Sequence, residues 1–463
     1  MKRLAIIGAI SACLLGGTPF EVMADEKALE ERIKKLEKIV EDLKKHESEE
    51  VKTKEKKEGE QPLGFGSTGS GKLIYAKPFL SSPRTTVGGY MDLQYRLFNS
   101  SKSTGIGQPS TGAGSSSFDQ QRFVPFFYSD ITDRLKVAAE LEIEHGVRSK
   151  STQADSGGIE VSLEFATIDY LISEKLDFRA GIILLPVGKF NLLHDSPLND
   201  LSDRPLVATA IIPSTLSETG AGFYGTFYPT RLSKLDYELY ATQGFNGYDG
   251  ITPQITEANG LRDARQRVST AEDGLDNNNG KAVVGRVAFS PILGIEVGGS
   301  GYFGTYDPAS KRPLAIWAAD WTFQRGPFEL IGEAAWVYAR DNSKDLNGTP
   351  FLDPTSPAGH LLPQRMDGYY VQGNYHFLPQ FLRRWAPSYF TEASTFTAVV
   401  RWDQINTNSE FSDTKKERLT FGLNFRPVED TVFKVDYQFN FEDGKNNRNL
   451  RNDGLVLSVA TYF

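Results

Sequence analysis

The sequence predicts an all-β fold, a 16-stranded antiparallel transmembrane β-barrel that is preceded by a short N-terminal coiled-coil helix. Three observations lead to this prediction. Runs of about ten to fourteen residues with alternating apolar and polar side chains recur from Thr85 onward, which is the side-chain period of a strand. Short and long connections alternate between these runs, as they do in outer-membrane barrels. The last run, 454–463, is uncharged and ends on Phe463, which suits a sheet whose final strand pairs with its first.

Composition favours a barrel over a bundle of membrane helices. Charged residues make up 24% of the 463 residues and the mean hydropathy is -0.36, and beyond the N-terminal segment no apolar run is long enough to span a bilayer as a helix. The chain has 19 Tyr and 30 Phe, and transmembrane barrels need aromatic girdles at both membrane interfaces. The aromatic residues that lie near predicted strand ends, and that we assign to such girdles, are Trp317, Trp321, Trp336, Tyr338, Trp402 and Tyr462.

Residues 1–24 have the pattern of a cleaved export signal. Lys2 and Arg3 precede an apolar stretch, and Ala24 offers a small residue at the expected cleavage site. Cys13, the one cysteine of the chain, lies inside this segment. Lipid modification at Cys13 is the alternative; on the favoured interpretation the mature chain has no cysteine, so the sheet must supply the stability that disulfides could otherwise add.

Two further segments precede the barrel. Residues 25–50 predict a coiled-coil helix, because apolar residues recur at alternating spacings of four and three; these residues are Leu29, Ile33, Leu36, Val40 and Leu43. A solvated helical spacer is the alternative. Residues 51–84 are charged and then Gly/Ser-rich, which predicts a flexible linker. The stretch 66–73 in this linker is similar to a phosphate-binding loop, but it lacks the final Ser/Thr and the flanking strand and helix.

The barrel domain is predicted to span 85–463. The predicted strands are 85–98, 118–130, 134–146, 159–172, 175–185, 217–228, 233–244, 281–290, 293–303, 314–324, 327–340, 366–378, 391–402, 417–428, 431–442 and 453–463. The connections are short at one end of the predicted barrel and long at the other. The connection 379–390 is an exception, because it lies at the end with short turns but is long. A soluble β-sandwich would not require this asymmetry.

The alternation within the strands predicts which face meets lipid. In 431–442, for example, Phe433 and Val435 alternate with Lys434 and Asp436. Because strand side chains point alternately to opposite faces, this pattern predicts an apolar outer surface and a water-filled interior. A water-soluble β protein is the alternative, with the apolar face turned inward.

Several blocks of the chain are similar to one known family. They are FATIDY at 165–170, LDFRAG at 176–181 with LPVG at 185–188, DRPLVA at 203–208 with IIPS at 211–214 and ETGAG at 218–222, and the closing pattern from Leu419 to Phe463. Over 85–463 the chain resembles the phosphate-selective porin O/P family. The resemblance implies a trimeric 16-stranded barrel in the outer membrane of a Gram-negative bacterium, with a periplasmic N-terminal coiled coil and with the loop Pro186–Leu216 folded inward.

A porin needs a water-filled lumen, a constriction and charges that select ions. The candidate pore-lining and selectivity residues are Arg122, Arg179, Lys189, Arg204, Arg286, Arg401, Arg418, Arg426 and Lys434. The last four fall on neighbouring strands and predict a basic ladder. The chain is nevertheless acidic, with a net charge of -8, and predicted lumen acids such as Glu140 and Glu333 oppose these cations. A general or weakly selective pore is therefore favoured over a phosphate-specific one.

The predicted function is passive diffusion of small hydrophilic solutes and ions, with phosphate as one candidate solute. The expected partners are outer-membrane lipid, these solutes and two further copies of the chain in a homotrimer. The alternative is a structural outer-membrane anchor, in which residues 25–60 bind peptidoglycan or a periplasmic partner.

The sequence offers no pattern for catalysis, a cofactor or a nucleic-acid site. It has no G-x-S-x-G motif, and its five histidines have no metal-ligand spacing. The basic run 52–57 is interleaved with Glu and has no aromatic residue, so nucleic-acid binding is not expected. The chain is predicted not to be an enzyme.

Overall fold

The computed structural model describes residues 85–98, 116–145, 160–247, 254–265, 280–307, 310–340, 352–356, 358–442 and 452–463. The predicted signal peptide, coiled-coil helix and linker lie outside these residues. No helix among the described residues has the length and apolar character needed to cross a membrane.

Sixteen strands follow one another along the described chain. They are β1 (Thr85–Phe98), β2 (Ser116–Asp130), β3 (Leu135–Glu144), β4 (Glu160–Ser173), β5 (Leu176–Leu184), β6 (Ser217–Phe227), β7 (Lys234–Gln243), β8 (Lys281–Ile292), β9 (Ile295–Thr305), β10 (Pro313–Arg325), β11 (Phe328–Ala339), β12 (Arg365–Phe377), β13 (Thr395–Asn406), β14 (Lys415–Val428), β15 (Thr431–Glu442) and β16 (Gly454–Tyr462). The predicted number of strands is confirmed.

The strands form one closed antiparallel barrel in which each pairs with its neighbours in sequence and β1 pairs with β16. The closing register runs from Tyr90 opposite Tyr462 to Phe98 opposite Gly454. The backbone amide of Phe463 donates to the carbonyl of Gly89 at 2.9 Å, and the Gly89 amide donates back at 3.2 Å. A side chain at position 89 would collide with the Phe463 ring and the Val124 carbonyl, so glycine allows this close approach.

The outer surface of the barrel is apolar, as the alternation predicts. Outward side chains such as Leu93, Phe127 and Phe421 are exposed along the strands, and Trp317 and Trp336 are each 51% exposed. Such a wall suits lipid, where apolar exposure carries no penalty. Other large apolar side chains are exposed on the same outer surface; among them are Val283, Val287, Leu330, Val400, Leu423 and Val435.

Tyr462 is not a girdle residue, and that prediction is wrong. Its ring lies on the inner side of the barrel beside Tyr90 and Phe126, and its hydroxyl donates a hydrogen bond to Asp195 Oδ2 at 2.9 Å. The strand alternation places Tyr462 inward, and its position at a strand end alone was not sufficient to assign it to the interface.

The long connection between β12 and β13 contains the short helix α1 (Gln380–Trp385). Trp385 is 79% exposed, whereas the Phe390 ring stacks on Phe396 and lies against Phe425 at the end of the barrel wall. The segment therefore folds back over the short-turn rim, which accounts for its length.

The inner surface is divided into a polar part and an apolar part, a division that strand alternation alone did not indicate. Toward the long-loop rim, β1–β3 and β14 carry inward polar and charged residues, which we call the charged wall: Asp92, Gln94, Arg96, Arg122, Glu142, Glu144 and Arg418. At the same end, β10–β12 carry inward apolar residues, which we call the apolar wall: Ile316, Ala318, Ala335, Val337, Met366 and Tyr370.

Candidate functional site

The segment between β5 and β6, residues 185–216, lies inside the barrel, and we call it the inner loop. Its prolines, such as Pro197 and Pro205, prevent it from adding a regular strand to the sheet. Asn191 joins the two ends of the loop: its Nδ2 donates to the carbonyls of Leu185 at 2.8 Å and Leu216 at 3.0 Å. The Leu216 amide donates back to Asn191 Oδ1 at 2.9 Å. The loop is therefore a closed, internally bonded unit.

Inward acids of the barrel accept backbone amides of the inner loop. Glu333 of β11 accepts from Phe190 at 3.0 Å, and Asp403 of β13 accepts from Leu206 at 3.0 Å. Such charge-assisted bonds are among the stronger hydrogen bonds in proteins. Gly188, at φ +72°, approaches Glu333 so closely that any side chain would collide with its carboxylate, which explains why glycine occupies this position.

The second half of the inner loop is apolar and packs on the apolar wall. Residues Val207–Ile211 form a π-helical turn whose side chains are mostly buried. Ile211 lies in the same apolar cluster as Val337 and Met366. Burial of apolar area, together with the Asp403 bond, fixes this half of the loop.

The part of the inner loop that precedes Val207 contacts the predicted basic ladder. Arg401 Nη2 donates to the Asp203 carbonyl at 3.0 Å, and Arg418 lies 3.8 Å from the Asp203 carboxylate. Arg426 donates to the Pro197 carbonyl at 2.7 Å, and Lys434 donates to the carbonyls of Ser196 at 2.8 Å and Leu201 at 3.2 Å. The four cations are brought together as predicted, but they hold the inner loop instead of lining an open wall.

Asp203 is the anchor of the loop on the charged wall. Its carboxylate accepts from Arg96 at 2.5 Å and from Gln438 at 2.7 Å. Burial alone would raise the pKa of Asp203, but the charges of Arg96 and Arg418 outweigh it and hold the pKa below its ordinary value. Asp203 therefore stays ionised at neutral pH.

The other predicted cations face the interior in separate pairs. Arg179 is fully buried, makes two 2.8 Å bonds to Asp169 and lies 4.5 Å from the Tyr224 ring centroid. Arg286 contacts Asp320 at 2.6 Å. Lys189 contacts Glu296 at 2.9 Å. The strand residues of these pairs lie on β4–β5 and β8–β10, outside the charged wall, whereas Lys189 belongs to the inner loop. Arg179 is enclosed by its partners.

The remaining two, Arg122 and Arg204, line a cavity of about 240 Å³ between the inner loop and the charged wall. Arg122 bonds Glu142 at 2.9 Å and Glu144 at 2.8 Å. Arg204 lies 4.0 Å from Glu142, and its Nε and Nη2 atoms are buried without a hydrogen-bond partner among the described residues. Burial and the nearby Arg122 charge lower the pKa of Arg204. Because the Nε and Nη2 groups of Arg204 have no partner among the described residues, its guanidinium retains donors that can bind an anion.

The cavity contains more cations than acids. Its arginines are Arg96, Arg122, Arg204, Arg262, Arg265 and Arg418, and its acids are Asp119, Glu142, Glu144 and Asp203. His145 adds a titratable group, and its hydrogen bond to Asp119 raises its pKa. The sequence reasoning missed Arg96, which the alternation of β1 could have identified as inward. It also missed Arg262 and Arg265, which belong to the irregular β7–β8 connection and have no periodic signal.

No protein-family model matches the chain. A protein of Aquifex aeolicus (strain VF5) described as uncharacterized is 27% identical over 376 residues, which cover 78% of this chain and 77% of that protein. Among solved structures, the Salmonella typhi OmpF complex with daunomycin is similar with a TM-score of 0.50 and 12% identity, over 82% of this chain and 97% of that one. The anion-selective porin from Comamonas acidovorans aligns at a TM-score of 0.48 and 10% identity, over 82% and 99% of the two chains.

The likeness to the OmpF structure is a likeness of fold. The chain is a closed 16-stranded antiparallel β-barrel of the kind found in outer-membrane porins. The relationship to the phosphate-selective porin O/P family stays a prediction from the motifs of the sequence.

Proposed function

We propose that this protein is an outer-membrane channel of a Gram-negative bacterium through which small hydrophilic solutes and ions diffuse passively, with a weak preference for anions. The observation that carries the proposal is the arginine-rich cavity between the inner loop and the charged wall, inside a barrel whose outer surface is apolar. Charges that line a constriction bias which ions enter it, and a low-dielectric surrounding strengthens their field.

Arg204 is the residue on which we base the anion preference. Arg204 lines the cavity, and its Nε and Nη2 atoms have no hydrogen-bond partner among the described residues. Glu142, its ion-pair partner at 4.0 Å, also bonds Arg122. A channel must bind an ion strongly enough to admit it and weakly enough to release it. A single guanidinium partly balanced by nearby acids meets both conditions, whereas a ring of uncompensated cations would retain phosphate.

The location and assembly follow from the same proposal. An apolar barrel wall needs lipid around it, and the closed barrel leaves no strand edge unpaired, which a bilayer requires. We also propose a homotrimer, on the resemblance to trimeric porins. Molar mass in detergent, from light scattering corrected for bound detergent, should equal three chains; a mass of one chain would refute the trimer and leave the channel proposal intact.

The test is single-channel recording in planar bilayers. We expect ohmic current steps, with a reversal potential in a KCl gradient that shows chloride passing more readily than potassium. Arg204→Gln should lower the anion-to-cation permeability ratio about threefold, equivalent to about 0.65 kcal/mol. The matched control is Arg384→Gln, which removes an exposed arginine of α1 and should leave the ratio unchanged.

Two outcomes would overturn the proposal in different ways. A barrel that inserts but carries no current would refute the channel and favour the anchor. Current with an unchanged or raised anion preference in Arg204→Gln would refute the role of the cavity. Phosphate added to chloride decides the finer question: block of chloride current at low phosphate concentration indicates a phosphate-specific pore, and its absence indicates a general one.

A further inference from the structure

A second group of polar side chains lies inside the barrel, where the inner loop meets β3 and β4. Glu140 of β3, Glu164 of β4 and His194 of the inner loop are all buried, and one ligand atom from each lies within 4.8 Å of the other two. His194 Nε2 is 3.0 Å from Glu164 Oε2. Two ligands at about 2.0–2.1 Å from a tetrahedral zinc ion lie about 3.3 Å apart, so this pair already has the spacing of two adjacent ligands.

The imidazole of His194 is oriented as it is in metal sites. Its Nδ1 contacts the backbone carbonyl of Asn191 at 2.8 Å, so Nδ1–H is the donor and Nε2 points toward the carboxylates. Metal-ligating histidines commonly donate their other ring N–H to a carbonyl in this way, which fixes both the tautomer and the ring orientation. Asn191 itself is held by the two ends of the inner loop.

The carboxylates around His194 have too few positively charged neighbours to balance their charge. The buried Oε1 of Glu164 has no hydrogen-bond donor among the described residues. Asp195 Oδ1 is 3.9 Å from His194 Nε2, which adds a third carboxylate to the group. Arg122 is bonded to Glu142 and Glu144, and Arg204 lies 4.0 Å from Glu142. Carboxylates this close to one another need a shared proton or a bound cation.

We propose that Glu140, Glu164 and His194 form a site for a divalent transition metal ion, for which Zn²⁺ is the probe of choice. One imidazole with carboxylate oxygens is a donor set that zinc accepts, and Asp195 is placed to supply a fourth ligand. The sequence could not reveal this site by ligand spacing, because the ligands come from two strands and a loop. The proposal does not depend on the channel function.

Such a site would join the inner loop to the barrel wall. Glu140 pairs with Phe165 of β4 and Glu164 lies at the adjoining register shift of these two strands, whereas His194 belongs to the loop. Metal binding would therefore pin the first half of the inner loop next to the charged wall. Because the ligands must be deprotonated, binding should release protons.

The experiment is isothermal titration of Zn²⁺ into the full mature chain, purified in detergent without a histidine tag and freed of metal with EDTA. We expect one Zn²⁺ per chain. His194→Gln and Glu164→Gln should each weaken binding at least about 100-fold, since partners one shell further from a metal already contribute about 10- to 100-fold. The matched control is His376→Gln, another inward histidine, which contacts Thr397 Oγ1 at 2.9 Å; its affinity should equal that of the wild type.

A second measurement, X-ray absorption at the zinc edge, identifies the zinc ligands in the wild-type protein. It therefore tests the site even if a variant fails to fold. We expect a shell with one imidazole and carboxylate oxygens at about 2.0–2.2 Å. Absence of bound zinc after titration, a shell with two or more imidazoles, or variants that bind as tightly as the wild type would each refute the site. His194 would then hold the inner loop to Glu164 by their direct 3.0 Å contact, without a metal ion.

Discussion

The charged wall and the apolar wall lie at the same height in one barrel but treat the inner loop differently. Asp203 is held by Arg96 of the charged wall and by Gln438 of β15 through charge-assisted bonds, and a cavity of about 240 Å³ remains beside Arg204. On the apolar wall, Ile211 packs directly among apolar side chains. Polar contacts can be bridged by water, whereas apolar contacts exclude it.

The two halves of the inner loop match the walls they contact. The half around Asp203 is polar, and the half from Val207 to Ile211 is apolar. The comparison teaches that both walls position the loop, and that the space an ion could use remains on the side of the charged wall. We expect changes on the apolar wall to alter the position of the loop and changes on the charged wall to alter selectivity.

The largest effect should come from Ile211→Asp. An uncompensated charge on the apolar wall costs about 3–5 kcal/mol, so we expect the loop to leave the wall, single-channel conductance to rise and trypsin to cleave after Lys189. The control is Ile211→Val, which should cost about 0.5–1.5 kcal/mol and keep the loop docked. Wild-type conductance and protease resistance in Ile211→Asp would show that the apolar contact does not hold the loop.

Arg122→Gln should produce the next largest effect, and it concerns selectivity. The substitution leaves the carboxylates of Glu142 and Glu144 without their closest cation, so the cavity becomes more negative. We expect the anion-to-cation permeability ratio to fall about tenfold, equivalent to about 1.4 kcal/mol. Ala335→Ser on the apolar wall should leave the ratio unchanged, and an equal fall in both variants would contradict the division between the walls.

Acid should release the loop from the charged wall. The pKa of Asp203 is held below its ordinary value of 3.8, so its stabilisation is fully present above that value and is lost as the pH falls through the lower, folded-state pKa. Charge-assisted hydrogen bonds of this kind contribute about 1.5–3 kcal/mol.

The measurement is single-channel current noise between pH 7 and pH 2.5, which should increase below about pH 4 as Asp203 takes up a proton. Asp203→Asn should be noisy at every pH, because its side chain cannot ionise. If Asp203→Asn and the wild type respond to acid identically, another carboxylate controls the transition.

The smallest effect should come from His145 at the mouth of the cavity. Its hydrogen bond to Asp119 raises its pKa above 6.5, so its positive charge is present at lower pH and is lost as the pH rises through the raised value. We expect the anion preference to fall less than about twofold on that rise, because His145 is half-exposed and salt screens it. His145→Gln should remove this pH dependence of the anion preference. If the variant keeps the pH dependence, a group other than His145 is responsible for it.

Much of the fold could be predicted from the sequence because strand alternation is a local signal. The predicted 85–98 and 431–442 are reproduced as β1 and β15. The largest displacement is in β13, predicted at 391–402 and found at Thr395–Asn406. There the hydroxyls of Thr391 and Ser394 bond neighbouring backbone amides, and such local bonds favour a turn over a strand.

The candidate site was only partly predictable. Alternation placed Arg401, Arg418 and Lys434 on the inner face correctly, since a side chain's face follows from its position in the strand. It could not indicate that loop carbonyls would take up their hydrogen bonds, because those partners are more than a hundred residues away in sequence.

The sequence by itself determined the number of strands, the face on which each side chain lies and the closure of β1 on β16, since these depend on a two-residue period and short turns. The tertiary structure alone decided where the inner loop lies, which cations remain available in the cavity, and how Glu140, Glu164 and His194 meet. Those features depend on contacts between segments far apart in the chain, for which local periodicity carries no signal.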